Sequence, residues 1–279
     1  MNYLLDVVEK IAINIKSEVF DNYHGFFKLN NSKETKKDIL NYCNNMIEEE
    51  LSELDTIKGF ISKEDKELKI INNSGEYIIS YVSIDNIDLL ELAFSVGTIF
   101  GVYKDSISSN NLITSAYITY GPSFQLVYAS KDTNEVEFYI FDEYKFRKEP
   151  PFHLNNKGKI NSTGGDINTF PQYHKDLVSK LFNNGYRLRL SNSFTLDIHQ
   201  IIFKRGGLYS NPSLDNELTI LFELYPISLI IELLDGESID GYNRILDIEL
   251  NGDYNRKTPF YIGSKDEISL TREYINNKA

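Results

Sequence analysis

Two stretches near the start of the chain repeat apolar residues at helical spacing. Between Tyr3 and Phe20 the apolar residues recur every three or four positions, which predicts one amphipathic helix. The same spacing predicts a second helix from about Thr35 to Leu54, with the acidic run Glu48–Glu50 on its polar, solvated side. The chain therefore begins with two helices that each have one apolar face to bury.

After Leu54 the pattern changes to short apolar runs separated by Gly, Asn and Ser. Runs of this length and spacing are typical of strands in a sheet that is mostly antiparallel. The predicted strands are GFIS at 59–62, YIISYVSI at 77–84, SVGTIFGVY at 95–103, SAYITYG at 115–121, FQLVYAS at 124–130 and VEFYIFD at 136–142.

A polar stretch from Lys145 to Phe170, rich in Pro and Gly, divides the chain into two halves. It predicts an N-terminal subdomain at 1–150 and a C-terminal subdomain at 151–279, within one compact unit. The elements predicted for the second half are helices at about 171–183 and 225–234, and strands ILFEL at 220–224, ILDIEL at 245–250 and FYIGS at 260–264. Helices around sheets in both halves indicate a layered α+β fold.

The charge balance restricts the possible partners. The 279 residues carry 29 Lys and Arg against 41 Asp and Glu, a formal charge of −12, whereas a nucleic-acid binder needs a basic face. No uncharged stretch approaches the roughly 20 apolar residues of a membrane span. The N-terminal segment places Asp6 and Glu9 within its apolar pattern and has no basic start, so we expect a helix of the mature fold, not a signal sequence. These features favour an intracellular protein, in the cytoplasm or an organelle, with no nucleic acid as partner.

Motifs for several other chemistries are missing from the sequence. Cys43 is the only cysteine, which excludes an intramolecular disulfide or a cysteine-based metal site within one chain. The four histidines are widely spaced and form no H-x-x-x-H or H-E-x-x-H pair for zinc. The run STGGD at 162–166 lacks the Gly-Lys-Ser/Thr of a P-loop, and no G-x-S-x-G elbow is present.

Five segments of the sequence resemble segments of a known protein family and occur in the same order. They are SVGTIFGVY at 95–103, YITYGPSFQLVYA at 117–129, LRLSNSFTLDIHQIIFKRGGLYSN at 188–211, ILFELYPISLIIELLDG at 220–236 and the closing run at 245–268. Together they resemble the class I fructose-1,6-bisphosphatase and sedoheptulose-1,7-bisphosphatase family, and the third is similar to the sedoheptulose-type variant. The resemblance covers about 32–268 and implies the stacked αβαβα layers of sugar phosphatases.

The family's chemistry is hydrolysis of a phosphate ester assisted by Mg²⁺ ions that carboxylates hold. At the four ligand positions that the resemblance implies, this sequence has Lys63, Val82, Asp85 and Glu223. Asp85 and Glu223 are therefore the remaining metal ligands, whereas a lysine and a valine replace the other two. For Lys63 two interpretations stay open: its ammonium pairs with Asp85 or Glu223 within about 4 Å and replaces a metal, or it is a surface lysine.

The resemblance also implies catalytic and substrate-binding positions. Asp38 and Glu64 correspond to acidic residues near the reacting water, and Arg189 corresponds to an arginine that binds phosphate, often in a neighbouring subunit's site. In contrast, Glu217 and Thr219 stand where the family has a lysine and an arginine for the sugar or its distal phosphate. Asp38, Glu64 and Arg189 are thus predicted to be vestiges of the site.

These substitutions lead to an expectation about function. The favoured hypothesis is a catalytically impaired or inactive member of the family that acts as a structural or regulatory subunit, without a cofactor. The alternative is an active Mg²⁺-dependent phosphatase of fructose 1,6- or sedoheptulose 1,7-bisphosphate with a remodelled site. A third possibility is a sensor that binds a phosphorylated metabolite without turnover. The resemblance implies a homo-oligomer, or a subunit of a larger protein assembly.

Overall fold

The computed structural model describes residues 2–21, 33–214 and 217–277. Helix α1 (Asn2–Ile15) continues into a π-helical turn, Lys16–Asp21, and helix α2 is Lys33–Ser52. These elements agree with the two amphipathic helices predicted from the sequence. No helix within the described ranges combines the length and apolar character that crossing a bilayer requires.

The first sheet contains, among the described residues, eight strands in the order β2-β1-β3-β4-β5-β6-β7-β8. Strands β1 and β3 are parallel, and the other neighbours are antiparallel. The strands are β1 (Ile57–Ser62), β2 (Lys69–Ile70), β3 (Tyr77–Asp85), β4 (Val96–Lys104), β5 (Leu112–Tyr120), β6 (Gln125–Ser130), β7 (Glu135–Phe141) and β8 (Phe146–Glu149). Each of the six strands predicted for this region is present, with bounds that differ by three residues or fewer.

The second sheet is built from shorter strands in the order β10-β9-β11-β13-β12. Strand β9 is parallel to both β10 and β11, whereas β13 is antiparallel to β11 and β12. The strands are β9 (Ile160–Thr163), β10 (Arg187–Leu188), β11 (Leu208–Asn211), β12 (Glu237–Ile239) and β13 (Phe260–Gly263). The α-helices in the described part of this half are α3 (Gln172–Asn183), α4 (Phe194–Phe203), α5 (Tyr225–Leu233) and α6 (Lys265–Asn276).

Among the described residues, three apolar cores join these elements into layers. Helices α1 and α2 pack on one face of the first sheet, and α4 and α5 lie between its other face and the second sheet. Helices α3 and α6 cover the far side of the second sheet. The order helix, sheet, helix, sheet, helix confirms the layered α+β fold. The subdomain boundary between residues 150 and 151 stays a prediction.

Two segments predicted as strands have other conformations. ILFEL is a π-helical turn, Ile220–Leu224, that leads directly into α5, and ILDIEL contains only a 3₁₀ turn at Ile245–Asp247. The Thr219 side chain caps the first turn by accepting a hydrogen bond from the Phe222 amide at 3.3 Å. ILFEL is buried between the two sheets, and a short apolar run in such a place fits a strand or a helix equally well.

His174 of α3 is a buried histidine whose ring nitrogens have no hydrogen-bond partner in the described part of the chain. Its ring packs edge-on against Phe170 and Tyr261. Burial lowers the pKa of His174 from 6.5 to about 4. The unfolded chain therefore takes up a proton at this residue before the folded protein does, so the stability falls as the pH drops from about 6.5 to about 4.

His174→Phe is expected to remove this pH dependence because phenylalanine keeps the ring contacts and cannot be protonated. Between pH 7 and pH 4.5 the free energy of unfolding should fall by about 2 kcal/mol more in the native protein than in the variant. Urea unfolding at several pH values measures the difference. Equal pH dependence in the two proteins would show that His174 is solvated in the folded state.

Candidate active site

A cleft of about 550 Å³ lies where strand ends from both sheets meet. Lys63 follows β1 and Asp85 ends β3, which is parallel to β1, while Gly164 follows β9 and Asn211 ends β11. The carboxyl ends of parallel strands are a common place for ligand sites, because the loops that follow them diverge and leave a crevice. The cleft is therefore the candidate site of the chain.

The floor of the cleft contains a buried ion pair between residues far apart in the sequence. The Lys63 Nζ donates a hydrogen bond to Glu223 Oε1; the lysine side chain is 25% exposed and the glutamate side chain 0%. Burial alone lowers the pKa of Lys63, but the adjacent Glu223 outweighs this effect, and the pKa ends above its usual value. The predicted contact between Lys63 and a carboxylate is confirmed for Glu223, so the lysine is not a surface residue.

The remaining oxygen of Glu223 is also bound. Glu223 Oε2 accepts hydrogen bonds from the Thr219 backbone N–H and from Thr219 Oγ1, both at 2.8 Å. Thr219 precedes the π-helical turn that carries Glu223, so both partners are fixed by the same turn. Thus each oxygen of this carboxylate has a protein donor.

Asp85 is held at the start of α4. Its Oδ2 accepts hydrogen bonds from Ser193 Oγ at 2.7 Å and from the Thr195 backbone N–H at 2.8 Å. Ser193 is the N-cap residue of α4, and free N–H groups and the helix dipole stabilise a carboxylate there. The pairing of β3 with β4 shifts between Val82 and Asp85, and this irregularity places Asp85 at the cleft.

Val82 belongs to the apolar core and lies on β3, three residues before Asp85. Its side chain is 1% exposed and lies in the same cluster as Ile78 and Ile99. A valine offers no oxygen to a cation, and Lys63 would repel a doubly charged ion about 4 Å away by roughly 8 kcal/mol at an effective dielectric near 20. The described residues also contain no group of three or more His, Cys, Asp or Glu placed to hold a metal. The residues present therefore do not fit the Mg²⁺ ligand set that the resemblance implies.

The structure does not bring the other predicted site residues into the cleft. Asp38 is exposed on α2, and Arg189 is exposed after β10, where its Nη1 donates to the Leu188 carbonyl at 3.1 Å. Glu64 lies next to Lys63 and interacts with its charge; burial raises the pKa of Glu64, and a hydrogen bond with Asn44 partly offsets this effect. The roles of these three residues in catalysis or binding stay predictions.

Sequence reasoning missed a third carboxylate near the floor, in addition to Asp85 and Glu223. Asp197 of α4 is buried; its Oδ1 accepts a hydrogen bond from the Ser191 backbone N–H at 2.7 Å, and its Oδ2 has no partner within the described ranges. Burial raises the pKa of Asp197 to about 7, and the negative charge of Asp85 contributes to the increase. Its position four residues after the Ser193 cap is the signal that could have identified it.

The exposed rim of the cleft is acidic. Asp88, Asp166 and Glu217 line it, and Asp88 also pairs with Lys36, at 2.6 Å between Nζ and Oδ1. Glu217 lies where the resemblance places a lysine for the substrate. Among the described residues that line the cleft, Lys63 is the one basic side chain.

Comparison with known protein families accounts for nearly the whole chain. Residues 2–147 match "Fructose-1-6-bisphosphatase, N-terminal domain", and residues 154–276 match "Fructose-1-6-bisphosphatase, C-terminal domain". The chain belongs to the fructose-1,6-bisphosphatase family. The resemblance derived from the five segments is thereby confirmed.

Two relatives show how far the similarity to the fructose-1,6-bisphosphatase family extends. The protein from Campylobacter concisus is 38% identical over 241 residues, which cover 84% of this chain and 83% of the relative. The protein from Campylobacter hominis is 32% identical over 281 residues and covers 98% and 99% of the two chains. Both are named fructose-1,6-bisphosphatase class 1.

Solved structures agree on the fold. A putative sedoheptulose-1,7-bisphosphatase from Toxoplasma gondii matches with a TM-score of 0.84 at 19% identity, over 99% of this chain and 93% of its own. A fructose-1,6-bisphosphatase from Leishmania major matches with a TM-score of 0.81 at 22% identity, over 98% and 92%.

The expectation of an inactive structural or regulatory subunit is wrong. Relatives that cover 84% and 98% of this chain carry the name of the enzyme, which supports an enzyme of the fructose-1,6-bisphosphatase family. The expectation relied on two altered ligand positions.

Proposed function

We propose that the chain is an active phosphatase that hydrolyses a phosphate ester of a sugar bisphosphate, with fructose 1,6-bisphosphate as its substrate. The observation that carries this proposal is the match, over 84% and 98% of this chain, to relatives named fructose-1,6-bisphosphatase class 1. The segment at 188–211, which is similar to the sedoheptulose-type variant, makes sedoheptulose 1,7-bisphosphate the second candidate substrate.

The reaction needs a group that takes a proton from the attacking water. The water oxygen bonds to phosphorus while this group takes its proton, the bond from phosphorus to the sugar oxygen breaks, and the sugar oxygen takes up a proton from solvent. Asp85 is suited to accept the proton of the water. Its Oδ2 is fixed by hydrogen bonds from Ser193 and Thr195, while no described residue donates a hydrogen bond to its Oδ1. We assign no step to a metal ion, because the residues of the cleft do not fit the implied ligand set.

Phosphate release from both bisphosphates tests the proposal. The native protein should turn over one of them at about 1 s⁻¹ or faster, the usual enzyme range. Asp85→Asn keeps an acceptor for Ser193 and Thr195 but loses the proton acceptor, so turnover should fall at least about tenfold. Asp132→Asn, on an exposed turn, is the control. If neither bisphosphate releases phosphate above background, the proposal is wrong.

The proposal also includes the oligomeric state of the protein and its cellular compartment. We expect a homo-oligomer, because the family resemblance implies a dimer or tetramer, and we keep the expectation of an intracellular compartment. Light scattering coupled to size exclusion gives the mass of the particle; a mass near the 32.2 kDa of one chain would contradict the oligomer.

A further inference from the structure

We infer that Lys63 is the resident cation of the cleft: its ammonium binds the phosphoryl group of the substrate at a position where the family resemblance implies a divalent metal ion. This inference rests on the proposed function for the identity of the ligand as a phosphorylated sugar. It deepens that function by stating which charge of the chain holds the phosphate.

The ammonium has a fixed position. Lys63 follows β1, and its Nζ is bound to Glu223, which Thr219 in turn holds through two hydrogen bonds of 2.8 Å. A lysine held in this way loses less conformational freedom when a ligand binds than a lysine on the surface does. Its charge is therefore already in place before the substrate arrives.

The ammonium also has donors left for a ligand. A lysine ammonium has three N–H groups, and among the described residues Lys63 uses one of them, in its bond to Glu223. Lys63 lines the cleft together with the loop Gly164–Asp166 and Asn211. The remaining N–H groups can thus reach a phosphate oxygen in a cavity of about 550 Å³.

Among the acidic residues that the structure describes along the cleft, one positive charge is available to an anion. Lys63 is the one basic side chain among the described lining residues, so an anion bound there depends on it. Asp85 has donors from the start of α4, and Asp88 shares the Lys36 ammonium with Glu91, which reduces the repulsion of a phosphate by Asp85 and Asp88. Asp166 and Glu217 lie on the exposed rim, where solvent and salt screen their charge.

Binding of inorganic phosphate tests the inference without relying on turnover. Inorganic phosphate is a product of the proposed reaction, and calorimetry measures its affinity in excess EDTA and in millimolar Mg²⁺. For the native protein the two affinities should agree within about threefold. Lys63→Gln should weaken binding in EDTA at least about tenfold, because the positive charge is lost, whereas Lys63→Arg should retain most of it.

Two further variants control for folding and for charge. Lys63→Gln with Glu223→Gln removes the carboxylate that Lys63 balances, so it should fold and lose phosphate binding to the same extent as the single variant. Lys180→Gln removes a positive charge from the exposed surface of α3, outside the cleft, and should bind phosphate as the native protein does.

The outcomes separate this inference from the proposed function. Phosphate binding that requires Mg²⁺, or that is unchanged in the double variant, overturns the inference, and phosphate release from the bisphosphates still decides the function independently. Binding in EDTA that depends on Lys63, without any turnover, supports the inference and overturns the proposed function. If phosphate does not bind under either condition, Lys63 is not the cation of a phosphate site.

Discussion

Changing Lys63 to Glu together with Val82 to Asp is expected to raise the affinity of the protein for Mg²⁺ at least about 100-fold. The double variant restores carboxylates at all four ligand positions that the family resemblance implies, and Mg²⁺ prefers such hard oxygen ligands. It also removes the ammonium that repels a dication. Calorimetry with Mg²⁺ on the native protein and the double variant measures the change.

Thermal unfolding gives an independent readout of the same variant. Val82 is 1% exposed in an apolar core, so an ionised carboxylate there destabilises the fold unless a cation compensates it. Because Mg²⁺ would bind the folded state alone, its addition should raise the melting temperature of the double variant progressively and leave that of the native protein nearly unchanged. Lys63→Glu alone, with three carboxylates, should show a smaller rise. Equal responses to Mg²⁺ in all three proteins would refute the assignment of these positions.

The elements that could be predicted from the sequence are those with local signals. Strands β3 to β7 have apolar runs of six to nine residues that end at turn residues, and α1 and α2 have clear helical spacing. The second sheet is different because β9 to β13 have only two to four residues each, and their neighbours along the sheet are far apart in the sequence. The pairing of these short strands depends on the helices that cover both faces of the sheet. A short sequence pattern contains no information about that packing.

The candidate site could be predicted only in part, because the exposure and contacts of its residues also depend on the tertiary fold. The resemblance identified Lys63, Asp85 and Glu223, and these residues do converge, although 160 positions separate Lys63 from Glu223. Alignment of residue types cannot show that Asp38 and Arg189 point to solvent, because exposure depends on how α2 and β10 sit in the fold. Such an alignment also cannot show that Thr219 donates two hydrogen bonds to one oxygen of Glu223, because these bonds depend on the π-helical turn.

Removing the Lys63 ammonium is expected to lower the free energy of unfolding by about 2 kcal/mol. In Lys63→Met the apolar stem is retained, but Glu223, which is 0% exposed, loses the cation that balances its charge. Breaking a buried pair by removing one partner is costly because the other charge stays out of water, and partial exposure of the lysine keeps the loss below that of a fully buried pair. Urea unfolding at pH 7 measures the change.

Two comparison variants make this prediction specific to the buried pair. Lys69 pairs at the surface with Glu48 and Asp65, at 2.7 and 2.8 Å, and its side chain is 42% exposed. Lys69→Met should therefore change the stability by less than about 0.5 kcal/mol, since water and salt already screen those charges. Lys63→Met with Glu223→Gln removes the uncompensated charge and should recover part of the loss of the single variant. If Lys63→Met is as mild as Lys69→Met, or if the second substitution recovers nothing, the ammonium does not balance Glu223 in the folded protein.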